Sequence, residues 1–247
     1  MCVEIVPLGD MAITITFGKR IDERIHQQIH QFLHVFIRNK VVGVIECVPT
    51  YTSISIFYDP TKITYSQLEK KVFSTYESAL EIPQIESFVY RIPVYYGGET
   101  GPDLRFIAEY NKISEQEVIN YHANKEYLIH MIGFVAGFPY LGGLSHKITA
   151  PRLEKPRPKI AAESVGIGGS QTGIYPAEVP SGWRIIGITP LRLFEIENEK
   201  PSLLSAGNYV SFLPVDYEEF LSLKERVAAK NYEILTYKRE SNGHECY

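Results

Sequence analysis

The chain has 247 residues, of which 45% are hydrophobic and 22% are charged, and its formal net charge is −4. This is the composition of an ordinary globular protein, long enough for one large domain or two small ones. The charge argues against nucleic-acid binding, which needs a basic face, and no apolar run approaches the ~20 residues of a membrane span. Scattered cysteines without a C-x-x-C pair favour a reducing, cytoplasmic location and no disulfide framework.

The first 85 residues predict a small two-layer α/β sandwich domain. Residues 11–17 alternate between apolar and polar side chains, as a half-buried strand does. Asp22 is placed to cap a helix over 23–39, in which apolar side chains recur at helical spacing. The order strand, strand, helix, strand, strand, helix suits a sandwich, with the remaining elements predicted at 3–8, 41–48, 53–58 and 64–80.

Three histidines, His26, His30 and His34, recur every four residues on the first predicted helix. Histidines at this spacing can bind zinc. On a helical wheel, however, they lie beside or opposite the apolar face. We therefore predict a solvent-exposed polar face and no metal site.

Residues 86–247 differ from the first region in their glycine and proline content, and they predict a β-barrel domain. Between 133 and 190 lie ten of the 18 glycines and seven of the 15 prolines, at the joints of short apolar runs such as 184–188 and 191–196. Many short strands joined in this way favour a closed or nearly closed barrel. The fold class predicted for the whole chain is therefore α+β.

The other elements predicted for this region surround the glycine-rich part. Ser114 and Glu117 have the spacing of a capping box at the start of a short helix. Asp216 is placed to cap a later helix that runs to about residue 229. Strands are predicted at 88–96, 127–133, 209–215 and 232–237, of which the last is expected to close the barrel.

The segment 164–176, which reads SVGIGGSQTGIYP, is the most unusual in the chain. Gly168 and Gly173 have the spacing of a P-loop, but Ile174 and Tyr175 follow where a lysine and a hydroxyl residue are required. A dinucleotide-binding G-x-G-x-x-G fails as well, because Gln171 stands in place of the third glycine. The glycines therefore predict tight barrel corners, where a positive φ or a close backbone approach is needed.

Barrel corners do not explain the polar and aromatic side chains on this rim, which suit a small polar ligand or a tight protein contact. Upstream lies PRLEKPRPK, here called the basic loop (151–159), whose prolines stiffen it. It fits a preset anion site and equally a solvated surface loop. The residues proposed to bind substrate are Arg152, Arg157, Ser164, Gln171, Thr172, Tyr175 and Trp183; no catalytic residue can be assigned.

Three long segments carry a family resemblance: GFVAGFPYLGGL (133–144), APRLEKPRPKIAAESVGIGGSQTGIYP (150–176) and SGWRIIGITPLRLF (181–194). They resemble the signature of the allophanate hydrolase subunit 1 family. This family is also known as the B-type subunit of 5-oxoprolinase (PxpB), and it includes the sporulation kinase inhibitor KipI. The segment IPVYYGGETGPDL (92–104) and the spacing of His122 and Tyr127 agree. The resemblance covers nearly the whole chain.

The resemblance implies a small α/β domain followed by a cyclophilin-like barrel. It implies a protein that joins a PxpC/KipA-like relative, here called the C-type partner, as a heterotetramer. With a further relative, the A-type partner, the complex opens 5-oxoproline to glutamate and uses ATP as the cofactor. The alternative is a regulatory protein that docks on a histidine kinase, as KipI does. Neither reading involves nucleic acid or a membrane.

The chain departs from the family pattern at four positions, which are Ala136, Glu163, Ser181 and Ile188. The family has arginine where Ile188 stands, so an anion contact is expected to be lost there. It has glycine where Glu163 stands, and this carboxylate is expected to pair with the basic loop.

Overall fold

The structure is a computed structural model that describes residues 3–83 and 85–239. The chain divides into two compact units, with the boundary along the sequence between Glu86 and Ser87. We call them the N-terminal unit and the barrel unit. That each folds as a domain of its own, with bounds 1–85 and 86–247, stays a prediction.

The N-terminal unit is one antiparallel sheet covered by two helices. The sheet has the order β1-β2-β4-β3. The strands alternate as the sequence predicted, so that Ile13, Ile15, Ile54 and Ile56 are all buried under the helices. The elements are β1 (Glu4–Pro7), β2 (Ala12–Thr16), α1 (Glu23–Arg38), β3 (Val44–Pro49), β4 (Ser53–Tyr58) and α2 (Tyr65–Ala79).

Helix α1 begins where the sequence placed it, since Asp22 accepts a hydrogen bond from the Arg24 amide at 2.7 Å. The predicted exposure of its histidines is wrong for His26, which is 3% exposed and stacks on His30. The buried stripe of α1 runs through His26, Ile29, Phe32 and Phe36. Ile29, Phe32 and Phe36 are buried as predicted, and the stripe differs only at its first turn, where His26 is buried and Ile25 is partly covered.

The barrel unit contains the remaining ten strands and three helices of the described residues. The strands are β5 (Phe88–Tyr96), β6 (Glu126–Ile132), β7 (Pro139–Gly142), β8 (Arg157–Ile160), β9 (Ser164–Gly168), β10 (Gln171–Ile174), β11 (Val179–Ser181), β12 (Arg184–Ile188), β13 (Tyr209–Pro214) and β14 (Thr236–Lys238). The helices are α3 (Leu104–Asn111), α4 (Glu115–Ala123) and α5 (Tyr217–Ala228). Ser114 and Glu117 form the predicted capping box at α4, and Asp216 caps α5.

Seven strands close into a ring in the order β12-β9-β10-β7-β6-β13-β5, and β5 pairs again with β12. Closure brings Gly187 of β12 opposite Tyr96 of β5. A Cβ on Gly187 would lie 2.5 Å from the Tyr95 carbonyl oxygen, so the closure requires glycine at this position. The α+β class and the barrel are thereby confirmed.

Two predicted strands are wrong in detail. Of the strand predicted at 232–237 only the last two residues are in β14 (Thr236–Lys238), which pairs with the N-terminal end of β5 and does not close the ring. Residues 191–196 form no strand and contribute a single bridge, between Phe194 and Ser202. The apolar pattern there arises because Leu191 and Leu193 are buried in the core as part of a loop.

Candidate functional site

Three aromatic rings pack together at one side of the barrel, and we call them the aromatic triad: Phe138, Tyr175 and Trp183. Their centroids lie 5.1 Å apart for Phe138 and Tyr175, 5.9 Å for Phe138 and Trp183, and 6.0 Å for Tyr175 and Trp183. All three pairs are edge-to-face, the arrangement that the ring quadrupoles favour. The triad is buried, and Trp183 is 7% exposed.

The glycines of segment 164–176 make room for this triad. A Cβ on Gly168 would lie 2.5 Å from the indole of Trp183, and one on Gly173 would lie 2.9 Å from the Phe138 ring. Gly169 differs, because it has φ +65° and open space around its Cβ position, so it serves the β9–β10 turn. Close approach and a positive φ, the two predicted reasons for these glycines, are thus divided between neighbouring residues.

The Tyr175 hydroxyl faces a neighbour within the protein. It lies 2.7 Å from the Ser181 hydroxyl, which also accepts a hydrogen bond from the Trp183 amide at 3.0 Å. Burial raises the pKa of the Tyr175 phenol to about 12. Tyr175 is therefore a neutral phenol that fixes the connection between β11 and β12.

Two of the proposed site residues point into the protein. Ser164 is buried and donates to the Ala161 carbonyl at 2.8 Å. Thr172 has no exposed surface and donates to the Gly166 carbonyl at 3.0 Å. Gln171, which precedes Thr172 on β10, is half-buried.

A buried polar chain that sequence reasoning missed ends at Thr172. The Thr172 hydroxyl lies 2.8 Å from Nε2 of His122, and Nδ1 of His122 lies 2.7 Å from the Tyr96 hydroxyl. Because Thr172 donates to the Gly166 carbonyl, it accepts from Nε2–H, and Nδ1 then accepts from Tyr96. Burial lowers the pKa of His122 to about 3, so the imidazole is neutral and holds this one tautomer.

The two arginines of the basic loop have different surroundings. Arg152 is exposed, and its guanidinium carbon lies 5.9 Å from the centre of the Trp183 ring. Arg157 forms a two-pronged salt bridge with Asp103, with N–O distances of 2.8 and 2.9 Å. The structure therefore brings Arg152, Trp183 and Tyr175 together, while Arg157 is bound by a carboxylate that the sequence did not single out.

Two of the four departures from the family pattern lie away from the basic loop. Ile188 packs against the cluster under α5, so it makes an apolar contact where the family has a charge. The expected pairing of Glu163 with the basic loop is wrong, because the charges that act on its carboxyl are Arg192 and Lys224. Burial of Glu163 is the larger influence, and it raises the pKa of this carboxyl.

Glu163 adopts φ +63°, a left-handed conformation that strains any side chain with a Cβ. We expect Glu163→Gly to stabilise the protein by about 1 kcal/mol, or roughly 2–4 °C in the thermal midpoint. Glu163→Ala, which removes the carboxylate and keeps the Cβ, is the matched control and should gain little. A thermal midpoint of Glu163→Gly below that of the wild type, measured by differential scanning calorimetry, would contradict backbone strain at Glu163.

The described part of the chain contains neither a metal-binding cluster of side chains nor a membrane-spanning helix. Residues 3–83 and 85–239 contain no cluster of three or more His, Cys, Asp or Glu side chains arranged to hold a metal ion. Over the same residues, no helix is both long enough and apolar enough to span a bilayer.

The chain belongs to the carboxyltransferase domain family, subdomains C and D, whose profile it matches over residues 3–204. It is 41% identical to the B-type subunit of 5-oxoprolinase from Bacillus subtilis over 233 residues, which covers 90% of this chain and 97% of the relative. The resemblance based on the three segments is thereby confirmed.

The solved structures that are similar to this chain include one from Pyrococcus horikoshii and one from K. lactis. A conserved uncharacterized protein from Pyrococcus horikoshii is 42% identical with a TM-score of 0.53, and the match covers 88% of this chain and all of that one. The urea amidolyase of K. lactis is 24% identical with a TM-score of 0.77, which shows a shared fold. That match covers 96% of this chain but 16% of the amidolyase chain, so the fold also occurs within a much larger protein.

Proposed function

We propose that this chain is the PxpB component of an ATP-dependent 5-oxoprolinase complex, which opens 5-oxo-L-proline to L-glutamate together with the A-type and C-type partners. The observation that carries the proposal is the 41% identity to a B-type 5-oxoprolinase subunit along 97% of that relative. Such a match includes both units, so a single shared domain does not account for it.

The geometry supports a chain that needs partners for turnover. The backbone around Gly168 and Gly173, which would have to cradle phosphates in a P-loop, is covered by the indole of Trp183. This segment is therefore not a P-loop, and the subunit that binds ATP in the proposed complex stays open. The occurrence of the same fold within a much larger amidolyase chain fits a component that works joined to others.

Arg152 is the residue best placed to read the substrate carboxylate. It is exposed, it lies beside Trp183, and none of the described carboxylates forms a salt bridge with it. An arginine fork matches the carboxylate of 5-oxoproline in shape and charge.

The test is reconstitution with the A-type and C-type partners encoded by the same genome. We expect 5-oxoproline-dependent release of ADP and glutamate from the complex and none from this chain alone. We also expect co-elution with the C-type partner, as two copies of each, in size-exclusion chromatography. A complete complex without turnover, or one that instead inhibits a histidine kinase, would overturn the proposal in favour of the regulatory alternative.

Within an active complex, Arg152→Ala is expected to raise KM for 5-oxoproline about tenfold or more, because one charge-assisted contact is lost. Lys155→Ala removes an exposed cation from the same loop and is the matched control, with unchanged kinetics. Equal KM values for Arg152→Ala and Lys155→Ala would show that Arg152 does not bind the substrate.

A further inference from the structure

Asp103 stands at the N-cap of α3, yet it does not cap that helix. An aspartate in this position normally accepts a hydrogen bond from the first turn, but the Asp103 side chain makes no such bond. Asp103 is 5% exposed, so its carboxylate is shielded from water and must be hydrogen-bonded by other groups of the protein. Those partners lie outside α3.

The carboxylate of Asp103 receives hydrogen bonds from two other segments. Arg157 of the basic loop binds both oxygens, and the Ile185 amide of β12 donates to Oδ2 at 2.7 Å. Arg184 adds a longer contact of 3.6 Å to Oδ1. Because all of these groups are donors or cations, Arg157, Arg184 and the Ile185 amide form an anion site, and the Asp103 carboxylate fills it.

The same cluster holds the basic loop at both of its ends. Arg157 ties the end of the loop to Asp103, and Arg184 donates from Nε to the Pro151 carbonyl at its start, at 3.2 Å. Arg184 is itself fixed, because its guanidinium lies 3.6 Å from the centre of the Phe106 ring on α3. Arg152 lies between these two anchors.

We propose that Asp103 is a positioning residue, which anchors the basic loop through Arg157 and thereby holds Arg152 over Trp183. Recognition of the substrate carboxylate then falls to Arg152, because a ligand could reach the Arg157 fork only by displacing a buried aspartate. The anchoring follows from the contacts alone, whereas its link to turnover rests on the proposed function.

Trp183 is the single tryptophan of the chain, so its fluorescence reports the position of the loop. We expect Asp103→Ala to shift the emission to longer wavelength and to increase quenching by acrylamide. Sodium formate is the probe for the vacated site, because it supplies the carboxylate that was removed. Formate should restore the wild-type emission, with half of the recovery at a formate concentration of about 1 mM or above. A ligand of three heavy atoms does not bind more tightly than about 1 mM, because each atom contributes a limited binding energy.

Three controls separate anchoring from a general loss of structure. Sodium chloride at equal ionic strength should not restore the emission. The variant Asp103→Ala/Arg157→Ala, which lacks the fork, should not respond to formate. Glu109→Gln breaks an exposed ion pair with Arg105 on the same helix and should leave the emission unchanged.

Should Asp103→Ala fail to fold, Asp103→Asn replaces it, since the amide keeps an acceptor for the Ile185 amide. The same emission shift is expected. Wild-type emission in the folded Asp103 variants, or an equal formate response in the double variant, would overturn the anchoring role.

In the reconstituted complex, Asp103→Asn should raise KM for 5-oxoproline about tenfold with a smaller change in kcat. An unchanged KM in a variant whose emission has shifted would overturn the assignment of carboxylate recognition to Arg152. A wild-type complex without turnover would overturn the proposed function, while the fluorescence result would still decide the anchoring.

Discussion

Lowering the pH from 7 to 5 is expected to cost the wild-type chain about 2 kcal/mol more stability than a His122→Gln variant. Burial lowers the pKa of His122 to about 3 in the folded protein, whereas an unfolded histidine titrates near 6.5. Between these values the unfolded state binds a proton that the folded state does not. Stability is therefore lost as the pH falls below 6.5, by about 1.4 kcal/mol per pH unit, and is unaffected above it.

The glutamine side chain keeps a donor for Thr172 but has no group that titrates in this range. The measurement is urea unfolding at several pH values, followed by the fluorescence of Trp183, which lies in the same unit as His122. Identical pH dependence in His122→Gln and the wild type would contradict a neutral buried imidazole.

Gly168→Ala is expected to destabilise the protein by about 1–3 kcal/mol, because the added Cβ overpacks the indole of Trp183. Gly168 lies on β9 and has no positive φ, so its backbone accepts alanine without strain. In the Trp183→Ala background, which itself costs about 3–5 kcal/mol, the indole is gone and the substitution should be nearly neutral. Thermal unfolding of the four proteins in this double-mutant cycle measures the coupling.

Gly169→Ala provides the contrast at the adjacent position. Its Cβ meets open space, but its φ of +65° disfavours alanine. The cost of Gly169→Ala should therefore be the same with and without Trp183. An equal cost of Gly168→Ala in both backgrounds would mean that room for the indole is not what requires glycine there.

Much of the secondary structure could be predicted from local patterns. The alternation on β2 and β4, the helical spacing on α1, and the caps Asp22, Ser114 and Asp216 each act within one element, so neighbouring residues contain the information. The family resemblance was equally accessible, because long ordered motifs do not require knowledge of contacts. The strand predicted at 191–196 failed because burial in a loop produces the same apolar signal as a strand.

The candidate site was predicted only in part, because its side chains meet across long stretches of chain. Arg152 and Trp183 were chosen for their chemistry, and a hydrogen bond from the Leu153 amide to the Gly182 carbonyl holds their two segments side by side. No local pattern shows that Thr172 pairs with His122, 50 positions away, or that Arg157 pairs with Asp103, 54 positions away. Those pairings form because a polar group that is shielded from water needs a hydrogen-bond partner within the protein.

Local patterns and motifs were enough to predict most of the elements, the α+β class, the family and the composition of a polar, aromatic rim. Which of the polar groups face solvent, and which are paired within the protein, depends on contacts between distant segments. The physical reason is that strand alternation gives a side chain one of two faces, while ring closure and the packing of α3, α4 and β12 decide what lies on each face. Thr172 and Arg157, chosen as ligand-binding residues from the sequence, thus lie against His122 and Asp103, while Arg152 remains exposed beside Trp183.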